Sequence, residues 1–568
     1  MPDTAIPASQ HAIQIVAPGE TVHNRAKPVP AVGRTQILLR IEAVGICFSD
    51  TKLLHAFTAH PRKGAVIGGL SPEALAEIPS YVPGEAPTVP GHEVVARIVA
   101  IGDAVERHRT GERVLVQTDY RHLLTARSNA AFGYNFEGGL QEYVVVDERV
   151  VIEPGTGERF LIPVDEEPSA SAVALLEPWA CVEASYTVRE RGTLLPAGRL
   201  LVVADPGAAV RGLDVLLAAA VPASVTAVAD DAAQAARVGT ALEPTGLACE
   251  RAFTLDGLPP AGFDDIVYFG ADADRIEALE KLLAPRGVLD IVLAGARIDR
   301  PVAVDVGRVH YDLTRWVGTT GDSAADGYAW IPADGELRTG DREAVIGAAG
   351  PMGFMHVIRA ATSGLAGLDV TAIDIDDARL AHLAHVAGPL AAERGVAAAF
   401  LNSRAATINP GFTYVAVMVP SPALVAQAVD LAGPGARVNL FAGFAVGTLA
   451  NLDLGELLAR RAYLFGTSGS EITDMKVVLA KLERGDLDTN VSLDAVTGME
   501  GVRDALAAVE GRTSGGKIVV YPGLPEMGMI RLGELPERLP AVAAHLRNGL
   551  WTRAAESELL ASGGQPRP

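Results

Sequence analysis

The chain repeats itself, and this limits its fold more than any other feature. Val304 to Gly321 reads VDVGRVHYDLTRWVGTTG and Leu452 to Gly469 reads LDLGELLARRAYLFGTSG, with Asp305, Gly307, Gly318, Thr319 and Gly321 each recurring 148 positions on without a gap. Upstream, Val225-Thr226-Ala227-Val228 returns as Val370-Thr371-Ala372-Ile373 at an offset of 145, and FDDIVYFG at Phe263 parallels FTYVAVMV at Phe412 at an offset of 149. Self-similarity at one long period means a single supersecondary assembly built twice. Two sister domains follow, at 196–335 and 336–480, joined by a Gly- and Pro-bearing linker around Gly321 to Asp341.

The second copy opens with the chemistry of a dinucleotide site. Glu343 to Leu380 reads EAVIGAAGPMGFMHVIRAATSGLAGLDVTAIDIDDARL: an apolar run, a glycine turn, a helical stretch, and a second apolar run ending at Asp374. Gly347 and Gly350 let the backbone turn and approach a pyrophosphate, while Gly353 lets the helix lie close to the strand. Free N–H groups at the helix start, around Pro351 and Met352, face the phosphate charge. Asp374 stands at the spacing of the carboxylate that accepts from both ribose hydroxyls, which favours NAD over NADP; Arg379 completes the candidate cofactor-binding set. The spacing is G-x-x-G-x-x-G rather than strict G-x-G-x-x-G. In the first copy the turn is Pro206-Gly207-Ala208-Ala209-Val210-Arg211-Gly212, Ala204 stands opposite Gly347, and Ala229 takes the place of Asp374. That copy is expected to bind dinucleotide poorly, with Asp230 as the one nearby carboxylate.

At 568 residues the chain is too long for one core, and 49% hydrophobic with 21% charged residues describes an ordinary globular protein of three or four domains. A formal charge of −21 opposes binding to nucleic acid or an anionic membrane. Three cysteines, at 47, 181 and 249, are too few for a disulfide framework and fit a reducing cytoplasm. The N-terminus has no signal-peptide pattern. The longest uncharged window, Ala405 to Val429, holds Asn409, Pro410, Gly411, Pro420 and Pro422, which rules out a spanning helix.

Residues 1 to about 195 carry short strand-like runs, Gln36 to Ile46, Val94 to Ile101, Arg113 to Gln117 and Leu140 to Ile152, so this part is expected to be β-rich. Within it lie Cys47, His92 and, later, Glu177-Pro178-Trp179-Ala180-Cys181. Cys, His and a further Cys or Glu are what a catalytic zinc requires, with a fourth position open. Each also has a plainer reading: buried thiols, a core or turn histidine, and a helix-start carboxylate.

In their wording these segments resemble the medium-chain zinc dehydrogenases, the superfamily of alcohol, polyol and sugar dehydrogenases. GICFSD at 45–50, VPGHE at 89–93, AIGDAVERHRTGERV at 100–114, E-P-x-x-C at 177–181 and SGGKIVVYPG at 514–523 stand in that family's order. The resemblance implies an α/β protein with a GroES-like β-rich catalytic domain and a Rossmann domain, and the internal repeat makes the latter two tandem doubly wound Rossmann-like domains, one of them additional to the family's pattern. The corresponding divisions are a catalytic zinc domain at 1–195, a degenerate Rossmann-like domain at 196–335, an NAD-binding Rossmann domain at 336–480, a return segment of the catalytic domain at 481–525, and a C-terminal tail at 526–568. It further implies Cys47 and His92 as zinc ligands, Ser49 as the start of a proton relay, Asp50 as the carboxylate orienting the histidine, and Glu93 as an acid able to enter the zinc sphere. The third ligand is open between Cys181, preferred because zinc binds thiolate well, and Glu177.

Three departures stand out. Phe48 follows the first cysteine, Lys52 replaces a relay histidine, and no four-cysteine lobe is present, so one catalytic zinc and no structural zinc are expected. The insertion between Asp50 and Val89, with His55, His60, Arg62 and Lys63, reads as a solvated loop, with substrate contact as the alternative. The implied activity is hydride transfer between NAD(H) and an alcohol or carbonyl of a polyol, sugar, cyclitol or sugar phosphate, with no nucleic-acid or membrane partner; the residues leave open whether the chain forms a homo-oligomer. Rival readings are a non-catalytic NAD(H)-binding sensor and a structural subunit. The tail is read either as a docked helix or as a loosely held terminus.

Overall fold

The computed structural model describes residues 6–229 and 232–564; Asp230 lies outside them. The chain divides into two compact units, residues 1–181 together with 470–568, and residues 182–469.

The first unit is built on an eight-stranded sheet whose centre is Lys517–Val520, Gln36–Ile46, Glu93–Ile101 and Arg113–Val116 in that order. Alternating apolar residues of these strands bury Ile37, Leu39, Ile41, Val94, Ala96 and Ile98 in one cluster with Ile518 and Val520. The run expected as one strand over Leu140 to Ile152 is a strand only at Tyr143–Asp147. There the Asp147 side chain accepts from the Arg149 N–H and starts a helical turn at Glu148–Val151. The tail is docked on this unit. Glu556, in the helix Arg553–Ser562, is 5% exposed and accepts from the backbone N–H of Ala170 (2.6 Å) and Ser171 (2.8 Å) and from the Tyr521 hydroxyl (2.9 Å).

The second unit is a twelve-stranded sheet. In chain order its strands are β1 (Arg199–Ala204), β2 (Ser224–Ala229), β3 (Cys249–Ala252), β4 (Phe263–Phe269), β5 (Leu283–Val292), β6 (Arg315–Thr319), β7 (Arg342–Ile346), β8 (Asp369–Asp374), β9 (Ala397–Asn402), β10 (Phe412–Val417), β11 (Ala432–Leu440) and β12 (Tyr463–Phe465). Across the sheet they run β3-β2-β1-β4-β5-β6-β12-β11-β10-β7-β8-β9, so one half mirrors the other. Each half is parallel throughout. The halves meet antiparallel at β6 and β12, where Trp316 pairs with Leu464, and a short ribbon pairing Val302–Asp305 with Leu449–Leu452 repeats the join. The strands read as continuous apolar runs because helices cover both faces. Among the described residues no helix is long and apolar enough to cross a membrane.

One buried acid on β7 is held neutral by its surroundings. Glu343 is fully buried; its Oε1 accepts from the Tyr186 hydroxyl (3.1 Å), which also contacts His356 Nδ1 (2.7 Å), and its Oε2 has no partner among the described residues. Burial pushes the Glu343 carboxyl up to about 8 and the His356 imidazole down to about 3. Because the folded state favours the neutral acid, the stability linked to Glu343 is complete below its ordinary value of 4.5 and is lost as pH rises through about 8. Glu343→Gln, which keeps the acceptor without the charge, is therefore expected to raise the Tm at pH 8 by about 2–4 °C and to change it little at pH 5. Thermal unfolding at the two pH values checks this.

Candidate metal centre and dinucleotide turn

Three strand ends build the metal cluster in the first unit. Gln36–Ile46 and Glu93–Ile101 pair antiparallel with Gly45 opposite Glu93, so Cys47 leaves one strand where His92 enters the next. On the other side, Ile518 pairs with Ile46 and sets Lys517 at the same edge. One sulfur, one imidazole nitrogen and one carboxylate oxygen of Cys47, His92 and Glu93 lie within 4.8 Å of one another.

The surrounding hydrogen bonds aim these groups. Asp50 is 1% exposed; its Oδ2 accepts from the Cys47 backbone N–H (2.9 Å), and its Oδ1 accepts from the Gly91 N–H (3.2 Å) and lies 3.2 Å from His92 Nδ1. With Nδ1–H given to Asp50, the Nε2 lone pair is the one left for a metal, and Ser49 Oγ stands 3.2 Å from it. Burial alone would raise the Asp50 carboxyl, but His92 and the two backbone donors hold it below the ordinary range. Burial opposes charge on His92 as well, and Asp50 overrides it, holding the imidazole well above its ordinary value.

Glu93 is fully buried and its Oε1 is paired with the Lys517 ammonium, which also donates to the Ile46 carbonyl (2.8 Å). Burial disfavours the Lys517 charge, yet Glu93 and Cys47 keep it raised. Glu93 Oε2 is buried without a hydrogen-bond partner among the described residues. An orphaned carboxylate oxygen beside a thiol and an imidazole is a donor set that fits zinc, because a divalent cation satisfies all three at once.

The two candidates for the third ligand share one helix, Leu176–Thr187, at positions i and i+4. They therefore face the same way, with Cys181 Sγ 3.7 Å from Glu177 Oε1. Both are half-buried, and neither belongs to the tight cluster of Cys47, His92 and Glu93. Burial pushes the Glu177 carboxyl up to about 7, the attraction of His92 opposing it and the charge of Glu93 adding to it. The Cys181 thiol is raised, by burial first and then by the charges of Glu177 and Cys47.

The inserted segment is not simply solvated. Lys63 is fully buried, donating to the carbonyls of Val82 and Ala86. Arg62 pairs with Asp119 (2.7 Å) and lies 5.4 Å from the centre of the Tyr134 ring. The same ring is 5.0 Å from His60 and 5.7 Å from His92, and Tyr134 hydrogen-bonds Ser49. Burial, then Arg62, Lys52 and Arg127, drive His60 down to about 4. Tyr134 and Lys517 were not singled out from the residues. Lys517 sits inside the closing phrase SGGKIVVYPG, where a lysine entering an apolar strand was the available signal; Tyr134 carried none.

In the second unit the glycine turn follows β7. Gly347 has φ +82, and Gly350 caps the helix Pro351–Thr362 with Pro351 at its first position. A Cβ on Gly353 would fall 2.3 Å from the Gly347 carbonyl, so helix and strand depend on its absence. At Gly350 a Cβ would make only ordinary contact, 3.6 Å from the Arg379 guanidinium and from the Gly347 carbonyl. Met352 lies in the first turn of that helix. Asp374 ends β8, its Oδ2 accepting from the Ala349 N–H (2.9 Å) and its Oδ1 from the Ile375 N–H (2.7 Å), and Arg379 Nε donates to the Ala349 carbonyl (3.1 Å). Just past the corresponding end of β1, Asp205 accepts from the Tyr268 hydroxyl (2.6 Å) and pairs with Arg275 (2.8 Å).

Residues 33–155 match the family described as the alcohol dehydrogenase GroES-like domain. The chain is 27% identical over 251 residues to the uncharacterized protein YggP of Escherichia coli (strain K12), a match covering 40% of this chain and 58% of that protein, less than two thirds of its length. It is 22% identical over 350 residues to a mannitol-1-phosphate 5-dehydrogenase of Aliivibrio fischeri (strain ATCC 700601 / ES114), covering 56% of this chain and 76% of that one. The crystal structure of 2R,3R-butanediol dehydrogenase from Bacillus subtilis aligns with a TM-score of 0.51 at 15% identity, over 90% of this chain and 100% of that one. At that identity the likeness speaks for the fold alone.

Asp50→Asn should weaken zinc binding by about 10- to 100-fold, the usual effect of losing the partner that orients a ligating histidine. Competition against a chromogenic zinc chelator measures it, and an unchanged affinity would separate His92 from the metal.

Proposed function

Because the chain belongs to the medium-chain alcohol/polyol dehydrogenase superfamily, we propose that it is a zinc-dependent oxidoreductase moving a hydride between NAD(H) and a secondary alcohol or carbonyl of a polyol, sugar, cyclitol or sugar phosphate. The observation that carries this reading is the cluster of Cys47, His92 and Glu93, with buried Asp50 fixing the tautomer of His92 and a buried oxygen of Glu93 left unpaired. Cys47, His92 and one of Glu93, Cys181 and Glu177 would hold the ion. A bound zinc supplies a Lewis acid that makes the substrate hydroxyl easier to deprotonate.

The other roles fall to side chains of this chain. Ser49, beside His92 and hydrogen-bonded to Tyr134, is placed to accept the hydroxyl proton and pass it outward. Lys517 restrains Glu93 by holding its Oε1. The positive charges of Lys52 and Arg127 around His60 favour an anionic end on the substrate, as in the phosphorylated polyol of the Aliivibrio relative's name. In this reading the two halves of the second unit are tandem Rossmann-like domains, and the turn at Gly347–Gly353 with Asp374 holds NAD(H). In the first copy the carboxylate of Asp205 would repel a pyrophosphate at the corresponding turn.

Two measurements test the proposal together. Protein purified without added zinc should carry about one zinc per chain, lost in Cys47→Ser/His92→Ala, and should show alcohol-dependent NADH formation across a panel of polyols and sugar phosphates; an active enzyme free of metal would refute it. Asp374→Ala should raise the KM for NAD by about tenfold or more, the loss of a charged hydrogen bond, and narrow the preference over NADP. Unchanged cofactor kinetics in that variant would move the dinucleotide away from the second copy.

A further inference from the structure

A second basic site lies within the second unit, at the end of the strands opposite the glycine turn. A cavity of about 670 Å³ is lined by Trp330, Arg338, Arg437, Arg460, Arg461 and Tyr463 among others, with no acidic residue in its wall. Trp330 follows the helix Ala324–Ala329 of the first half; in the second, Arg437 of β11 pairs with Tyr463, the first residue of β12, and Arg460 and Arg461 come just before that strand. The turn at Gly347–Gly353 follows the far end of β7, and β7, β10, β11 and β12 run parallel. The cavity is therefore separate from the proposed cofactor site and does not depend on it.

Four guanidinium groups share this wall, and their charges are unequally met. Arg437 pairs with Asp341 (2.5 Å), and Arg460 pairs with Glu456 (3.2 Å) while donating to the carbonyls of Val429, Asp430 and Ala432. Among the described residues Arg338 and Arg461 have no carboxylate partner. The Arg461 guanidinium lies 3.5 Å from the centre of the Trp330 ring, held there by stacking alone. Arg437 is 3% exposed, and its Nε is buried with no hydrogen-bond partner among the described residues. An unpaired buried donor is costly, and so is a cluster of like charges around a cavity. A chain of net charge −21 has many carboxylates that could have been set here, and none lines the wall.

We propose that this cavity binds a small phosphate ester, with the phosphate on Arg338 and Arg461 and the organic part beside Trp330. Planar guanidinium forks match phosphate oxygens in pairs, and two unneutralised arginines match a dianion better than a single carboxylate. The volume suits a metabolite-sized molecule. Because both halves of the sheet contribute wall residues, the ligand would bridge them at their join.

Phenyl phosphate is a suitable probe, because Trp330 is half-exposed while Trp179, Trp316 and Trp551 are 1–2% exposed. Titrating the full-length protein should change its tryptophan emission, and the change should vanish in Trp330→Phe while calorimetric binding persists. Arg338→Ala/Arg461→Ala, altering two exposed side chains, should bind at least tenfold more weakly, and the wild-type affinity should fall with added salt. Benzoate, singly charged, should bind more weakly than phenyl phosphate. The proposal is overturned by an affinity unchanged in the double variant, by benzoate binding equally well, or by absence of both fluorescence change and heat in the wild type.

Discussion

The register between two strands underlies the proposed chemistry. Gly45 faces Glu93 across the ladder, and a Cβ on Gly45 would sit 1.9 Å from Glu93 Oε2. The missing side chain is what lets a carboxylate lie across the strand end beside Cys47 and His92. A slip of one residue would turn Glu93 to the other face of the sheet and carry His92 away from the thiol. The burial of Asp50 and the pairing of Lys517 add to an arrangement that this register has already made.

That arrangement is costly as well as useful. Asp50, His92, Glu93 and Lys517 are all buried, in a sheet otherwise lined by valine, isoleucine and leucine. Buried charges persist where each has a partner, and here the pairs Asp50–His92 and Glu93–Lys517 supply one another. One oxygen of Glu93 is the remainder, on a residue grouped with a thiol and an imidazole, and packing alone does not account for it.

Part of this was readable from the residues. The 148-residue offset marks two copies of one pattern, and the mirrored strand order of the second unit follows the same division. Cys47, Asp50 and His92 stand out because their neighbours are distinctive, and the structure brings them into contact. The choice between Glu177 and Cys181 stayed open for a physical reason: a spacing of four on a helix points both side chains at the same region, so sequence position cannot rank them. Tyr134 and the true burial of Lys63 were hidden because a loop's partners are set by distant residues and leave no period to read. A docked tail helix is one of the two readings the residues allow, but its anchor is not legible, since Glu556 looks like any helix-surface acid until Ala170 and Ser171 are seen to donate to it.

The antiparallel join at Trp316 and Leu464 sets two half-sheets edge to edge within one covalent chain. Where such a pairing forms between identical subunits, every substitution appears on both sides at once and must suit both. Here each side is encoded separately, so Ala229 stands where the other half has Asp374, and Asp205 has partners of its own, Tyr268 and Arg275. A single chain is thus released from the rule of symmetry, and each half can change without imposing the same change on the other.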